Sequence, residues 1–221
     1  MVLEQHKYLR NKDLGFNEDN VMVVPIKDSE LYNAADAFKA ELLKSTAIST
    51  VAMSSQIPGM SFRKFGFAVE QEEGMKGTTL QFMNVDYDYL ELMGIDIVEG
   101  RGFSRQMRSD EKTGFIVNEA LVRKYGLGNN ALGTRLYFIN EPNSQDGEII
   151  GVARDFNFGS LHNPIDSLAI MLRDEWRYFI NVRINPGKVA EAVEHADRAL
   201  RVVGVSYSLD YFFLSEKLVK K

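Results

Sequence analysis

Asn84–Phe103, NVDYDYLELMGIDIVEGRGF, changes its hydrophobic period from helix to strand inside one short stretch. Val85, Tyr89, Leu92 and Met93 recur at helical spacing, and Asp86 stands where an N-cap would accept from the orphan amides of the first turn. Asp88 is favoured there by the helix dipole. Gly94 occupies the place of a left-handed C′ residue, which stops the helix, and from Ile95 the period becomes two. Ile95 and Ile97 then share one strand face opposite Asp96, and Gly100 and Gly102 around Arg101 make the next turn. Two carboxylates so close together invite an acid/base reading, but helix N-termini collect acidic residues for structural reasons, so Asp86 and Asp88 are assigned to structure. The glycines build no phosphate loop, because no Gly-Lys-Ser/Thr ending follows them.

Outward from this stretch the chain divides into ends and middle. Val21–Ile26, VMVVPI, is a continuous apolar run, which predicts a strand buried on both faces. Ser29–Lys44 follows as a helix whose apolar face is Leu31, Ala35, Phe38 and Leu42, with Lys39, Glu41 and Lys44 turned away. Ala47–Ser55 alternates, with Ala47, Val51 and Met53 on one side and Ile48, Thr50 and Ala52 on the other, until Ile57-Pro58-Gly59 breaks it. The C-terminal end repeats that order. Phe179–Ile184 is a strand, and Asn185-Pro186 is an N-cap with proline at the first helical position. A helix carries Val189, Ala192, Val193, Ala196, Leu200 and Val203, and Tyr207, Leu209, Tyr211 and Phe213 form a last strand face. Two strand-helix-strand units can share one sheet, giving a split ferredoxin-like α+β layer with both helices on one side.

The middle is richer in strands. Phe65, Phe67 and Val69 alternate, as do Leu80 and Phe82, with the acidic EQEEG between them as a solvated hairpin loop. Phe115–Val117 is a strand, Asn118 an N-cap, and Ala120–Tyr125 a helix closed by Gly126. Leu136–Ile139 and Glu148–Ala153 are strands joined by the polar loop NEPNSQDG.

Composition excludes several classes of function. The 221 residues, 45% hydrophobic, suffice for a full core. A net charge of -5 with dispersed basic residues excludes nucleic acid as a partner. No cysteine is present, so disulfides, thiolate metal sites and cysteine nucleophiles are excluded. His6, His162 and His195 lack the spacing of a zinc site, and no serine sits in a nucleophile elbow. No catalytic, metal or cofactor-binding residue is therefore assigned. Trp176 is expected to cover the edge of the last sheet, and Met53 and Met60 to fill space near the break. The apolar runs are too short to span a bilayer.

YLRNKDLGFNEDNVMVVPI, the MSSQIPG break, VDYDYLELMGIDIVEGRGF, FIVNEALVRKYG and GVARDFNFGSLHNPI together resemble the MacB-like periplasmic core domain of FtsX-type ABC transporter permeases, from about Tyr8 to Phe213. The resemblance implies a porter-like subdomain, residues 1–60 and 157–221, with a strand-rich, Sabre-like subdomain inserted as residues 61–156. It also implies a periplasmic domain between two membrane helices of an inner-membrane protein, which carries no cofactor and is not an enzyme. VLEQHKYLR would continue one membrane helix and SEKLVKK lead into the next.

The implied role is mechanotransmission, in which ATP hydrolysis on a cytoplasmic ATP-binding subunit rearranges periplasmic parts, for efflux or extrusion of substrate with an adaptor. Two alternatives stay open: regulation of a periplasmic cell-wall hydrolase, and extraction of lipoproteins for a carrier. The full-length permease is expected to be dimeric and the isolated domain monomeric. Ile57, Pro58, Gly59 and Asn157 are the hinge candidates between the subdomains, and the partner-binding surface stays unassigned. On this reading Tyr8 and Leu214 lie on the same side, with the insertion projecting away from them.

Overall fold

The computed structural model describes residues 14–219 except 61, 140–146, 160–163 and 174–175. The fragment of helix expected at 2–10, with His6 and Tyr8, lies outside the described residues, as do His162 and all of the NEPNSQDG loop but Gly147.

The ends of the chain build the expected layer. Strand β1 (Val21–Pro25), helix α1 (Ser29–Leu42) and β2 (Ile48–Ser54) come first, and β10 (Phe179–Ile184), a helix at Val189–Val202 and β11 (Phe212–Phe213) come last. The strands lie in the order β11-β1-β10-β2, every pairing antiparallel. One face carries Met22, Val24, Val51, Met53, Ile180, Val182 and Ile184 against Leu31, Phe38 and Leu42 of α1 and Ala192, Ala196 and Leu200 of the C-terminal helix. The opposite face carries Val21, Val23 and Ala52 into a second core, which is why VMVVPI is apolar throughout. Asp28 caps α1 by accepting from Leu31 N at 3.0 Å.

Three local expectations need correction. Ile48 shares the core of Val51 and Met53 instead of facing away from them, because the register with β10 slips between Thr50↔Arg183 and Ile48↔Ile184, a bulge that turns Ile48 inward. The C-terminal helix starts at Val189, not at Pro186. Asn185 is not its cap: its Nδ2 donates to Thr46 O at 2.8 Å, and Lys188 N closes a turn on Asn185 O. The last strand is confined to Phe212–Phe213. Tyr207 and Leu209 reach the core from irregular backbone, and Leu214–Val219 is helical.

The middle of the chain adds β3 (Lys64–Gln71), β4 (Gly74–Val85), α2 (Tyr89–Met93), β5 (Ile97–Gly100), α3 (Asp110–Thr113), β6 (Gly114–Asn118), α4 (Glu119–Tyr125), β7 (Arg135–Phe138), β8 (Gly147–Ala153) and β9 (Leu168–Leu172). The C-terminal pair are then α5 (Val189–Val202) and α6 (Leu214–Val219). The pairings close into a ring: β3–β4, β4–β9, β9–β6, β6–β8, β8–β7 and β7–β3. This six-stranded barrel is filled by alternate side chains of every strand, among them Phe67, Phe82, Phe115, Leu136, Ile149 and Met171. Val152 joins Ile149 inside because the β6–β8 register shifts between them. Strand β5 pairs outside the ring with the last part of β8.

Strand β9 moves the boundary expected at 156/157. Leu168–Leu172 runs parallel to β4 and antiparallel to β6, so this segment belongs to the barrel and the second crossing to the layer lies between β9 and β10. Nor are the two parts joined by the crossings alone. Long β4 passes from the barrel to the layer, where Val85 pairs with Ser54 and Asp86 N donates to Met53 O at 3.0 Å. A shared core gathers Val21, Val23 and Ala52 of the layer with Met83, Tyr89, Leu92, Ile116 and Ile170.

Candidate functional site

The hinge candidates converge on that shared core. Ile57, Pro58 and Gly59 are all buried. Gly59 N donates to Phe158 O at 2.9 Å, and Asn157 N donates to Leu14 O at 2.8 Å. The two segments thus meet through backbone bonds beside a chain of rings, Phe62–Phe158 at 4.9 Å, Phe158–Phe156 at 5.5 Å and Phe156–Phe16 at 6.4 Å. Gly59 has φ of +84°, a backbone conformation that favours glycine, and a Cβ there would stand 2.6 Å from Leu218 Cδ2, which would have to move aside. Leu14, Leu214 and Leu218 pack into the same core. Tyr8 lies outside the described residues, but Leu14, further along the same segment, shares a cluster with Leu214.

A polar clasp closes the junction beside this core. Lys39 of α1 donates to Asp86 Oδ2 and to Asp88 Oδ2, each at 2.6 Å, and Arg105 reaches Asp88 Oδ2 at 2.7 Å. Burial pushes the Asp86 carboxyl above the ordinary range, with Lys39 opposing. Burial raises Asp88 as well, but hydrogen bonds from Arg105 and Lys39 outweigh it and hold Asp88 below that range. Asp86 is therefore not the N-cap expected. Helix α2 begins at Tyr89, Asp88 occupies the cap position without a capping side-chain bond, and Asp86 Oδ1 accepts from Asp88 N at 3.2 Å. The carboxylates are turned toward Lys39 instead, a partner whose distance along the chain left no local signal in the sequence.

Arg183 of β10 makes the second latch. Its Nε donates to Leu92 O at 3.2 Å, at the C-terminal end of α2, and its Nη2 to Asn17 O at 2.8 Å. A guanidinium there complements the negative end of the helix. Burial lowers its pKa, while Asp19 and Glu18 oppose this. Gly94 follows α2 with φ of +64°, the left-handed stop read from the sequence.

The remaining candidates scatter. His195 Nε2 lies 2.9 Å from Glu41 O, bridging the two helices of the layer. Trp176 packs against Phe65 and Phe82 of the barrel, with ring centroids at 6.3 and 5.8 Å. Among the described residues, no three His, Asp or Glu side chains gather as metal ligands, and no helix is long and apolar enough to cross a membrane.

Layer and inserted barrel, latched where the chain's two described ends meet, make one α+β unit. The chain belongs to the MacB-like periplasmic core domain family, whose model matches residues 8–200. It is the periplasmic domain of a MacB/FtsX-type ABC transporter permease. Its fold is similar to that of the periplasmic region of MacB from Actinobacillus actinomycetemcomitans, with 13% identity, 95% of each chain covered and a TM-score of 0.64. It is also similar to the extracellular domain of the noncanonic ABC-type transporter YknZ from Gram-positive bacteria. There the identity is 14%, the coverage 87% of this chain and 98% of that one, and the TM-score 0.57. No curated protein matches the sequence.

Proposed function

We propose that this domain transmits ATP-driven motion from the membrane to its periplasmic parts, the hydrolysis itself taking place on a cytoplasmic ATP-binding subunit. The observation that carries this reading is the shared core. Leu14, Phe16, Leu214 and Leu218 of the terminal segments pack directly on Ile57, Phe156 and Phe158, where barrel and layer join. A displacement of those terminal segments is then delivered to the junction without an intervening loop. Close-packed interiors pass strain on and switch between discrete arrangements, so the junction acts as a lever bearing more than as a slack tether. Ile57, Pro58, Gly59 and Asn157 serve as its pivot. The two moving parts of this reading are the layer strands β1, β2, β10 and β11 and the barrel, continuous with them through the β2–β4 pairing. Efflux or extrusion is the favoured use of the motion, with a periplasmic adaptor as partner and the full-length permease as a dimer.

These 221 residues hold no cysteine, so in an otherwise cysteine-free background a single engineered bridge tests this. Leu14 and Asn157 are backbone neighbours, with N–H···O at 2.8 Å. The double substitution Leu14→Cys, Asn157→Cys in the full-length transporter is expected to transport when reduced, to uncouple ATP hydrolysis from transport when oxidised, and to recover on reduction. Undiminished transport by the oxidised form refutes motion at this point.

A further inference from the structure

Where β2 leaves the layer, Ser55, Gln56, Met60 and Arg63 border a groove of about 590 Å³ whose other side carries Trp176, Tyr178 and Phe179. That size is typical of sites for one small organic ligand, roughly 300–1,000 Å³. Phe65, Phe82 and Phe179 supply aromatic wall, and Trp176, the single tryptophan of the chain, lies over Phe65 and Phe82. Trp176 holds φ of +62°, a region that bulky side chains rarely occupy, so packing on those two rings has to sustain the conformation.

Two polar residues line the groove beside this wall. Arg63 lines the groove, is exposed, and has neither an ion pair nor a hydrogen bond among the described residues. Among the described residues, no other Arg, Lys, Asp or Glu lines it. Gln56 donates through Nε2 to Phe82 O at 2.8 Å, while its Oε1 is shielded from solvent without a hydrogen-bond partner. An unpaired cation favours an anion, and a shielded acceptor favours a donor, since leaving it unmet costs free energy.

We propose that this groove binds an amphipathic organic anion, with a flat apolar body against Trp176, Phe65 and Phe82, its anionic group on Arg63, and an N–H or O–H donor on Gln56 Oε1. An extended peptide is the competing occupant, since β7 pairs with β3 only over Phe67–Val69; the aromatic wall with its single cation favours the small anion. The walls come from both crossings between layer and barrel, so a ligand here favours whichever arrangement of the two parts it fits better. This goes beyond the coupling role and stands independently of it.

Anilinonaphthalene sulfonate carries all three features: fused rings, a sulfonate and a secondary amine. Titrated into the 221-residue chain, it is expected to quench Trp176 emission saturably, at one equivalent. Arg63→Glu is expected to weaken binding by about tenfold or more, as is replacing the probe by neutral phenylnaphthylamine, a loss of about 1.4 kcal/mol. The exposed Arg63 leaves the fold intact, which an unchanged thermal midpoint verifies, and Phe65→Ala is the second variant expected to weaken binding. Non-saturating quenching, equal affinity for the neutral probe, or indifference to Arg63→Glu and Phe65→Ala overturns the proposal. So does displacement of the probe by an acidic aromatic peptide while small aromatic carboxylates fail to displace it.

Discussion

Tyr89→Phe is expected to make the protein more stable. Tyr89 opens α2, is 0% exposed, and packs within the core shared by layer and barrel. Its hydroxyl has no hydrogen-bond partner, and burial pushes its pKa above the ordinary tyrosine range, with the Asp86 charge adding to the effect. A hydroxyl taken out of water and left unmet costs about 1–3 kcal/mol, and phenylalanine deletes that cost while keeping the ring and opening no appreciable cavity. At about 2–4 °C per kcal/mol for a chain of this size, the melting midpoint rises by roughly 2 to 12 °C. Tyr89→Ala goes the other way by about 3–5 kcal/mol, because it removes the ring as well. Urea denaturation followed by circular dichroism gives both numbers, with an unchanged slope showing that the compactness of the end states is the same. A Tyr89→Phe variant that gains nothing, or loses stability, refutes the reasoning, since the hydroxyl would then be engaged.

Gly94→Ala is expected to cost about 1 kcal/mol or more, through backbone strain alone, since a Cβ there meets nothing closer than Asn17 Cβ at 3.6 Å. An unaltered denaturation midpoint would rule that out. Acid should unfold the domain through its paired aspartates. In Asp110, burial raises the pKa, but Arg101 at 2.6 and 2.8 Å and Ser104 N at 3.0 Å outweigh it, and Asp88 and Asp166 are likewise held below the ordinary value. A depressed folded pKa gives stability that is complete above the unfolded value, about 3.9, and lost as pH falls through the folded one. Asp86, raised by burial, acts oppositely: its penalty is relieved as pH falls through its folded pKa. Stability measured against pH should therefore drop below about pH 4, and less in Asp110→Asn; continued stability to pH 2 in the parent refutes the assignment.

What could be read beforehand was whatever is encoded locally. Leu31, Ala35, Phe38 and Leu42 form the buried face of α1 as their spacing implies, and Asn118 and Gly126 bound α4 as cap and stop. That the two repeated units share one sheet with both helices on one face was legible too, though not the order of its strands. Ring closure is not legible locally, because LAIML, which forms β9, is buried at every position and shows neither alternation nor a helical stripe. The latches escaped for a different reason. Lys39 with Asp86, and Arg183 with Leu92 O, join residues far apart in sequence, and a charged side chain alone carries no sign of which distant partner it will meet. Asn185-Pro186 shows the converse, a strong local signal overruled when the Asn185 amide is drawn to Thr46 O.

Strand β10 lies between β1 and β2, which have no pairing with each other in the sheet. The order in which the chain is made therefore differs from the order in which it can fold. Once Leu172 has emerged, every strand of the barrel is present and the ring can close. The first unit, although synthesised earlier, has to wait with β1 and β2 apart and their inner edges unmet until residues 179–184 slot between them. Pairings of such long sequence separation are slow to form and leave apolar strands open meanwhile. Nascent β1 and β2 are thus the segments of this domain with most need of a chaperone during export.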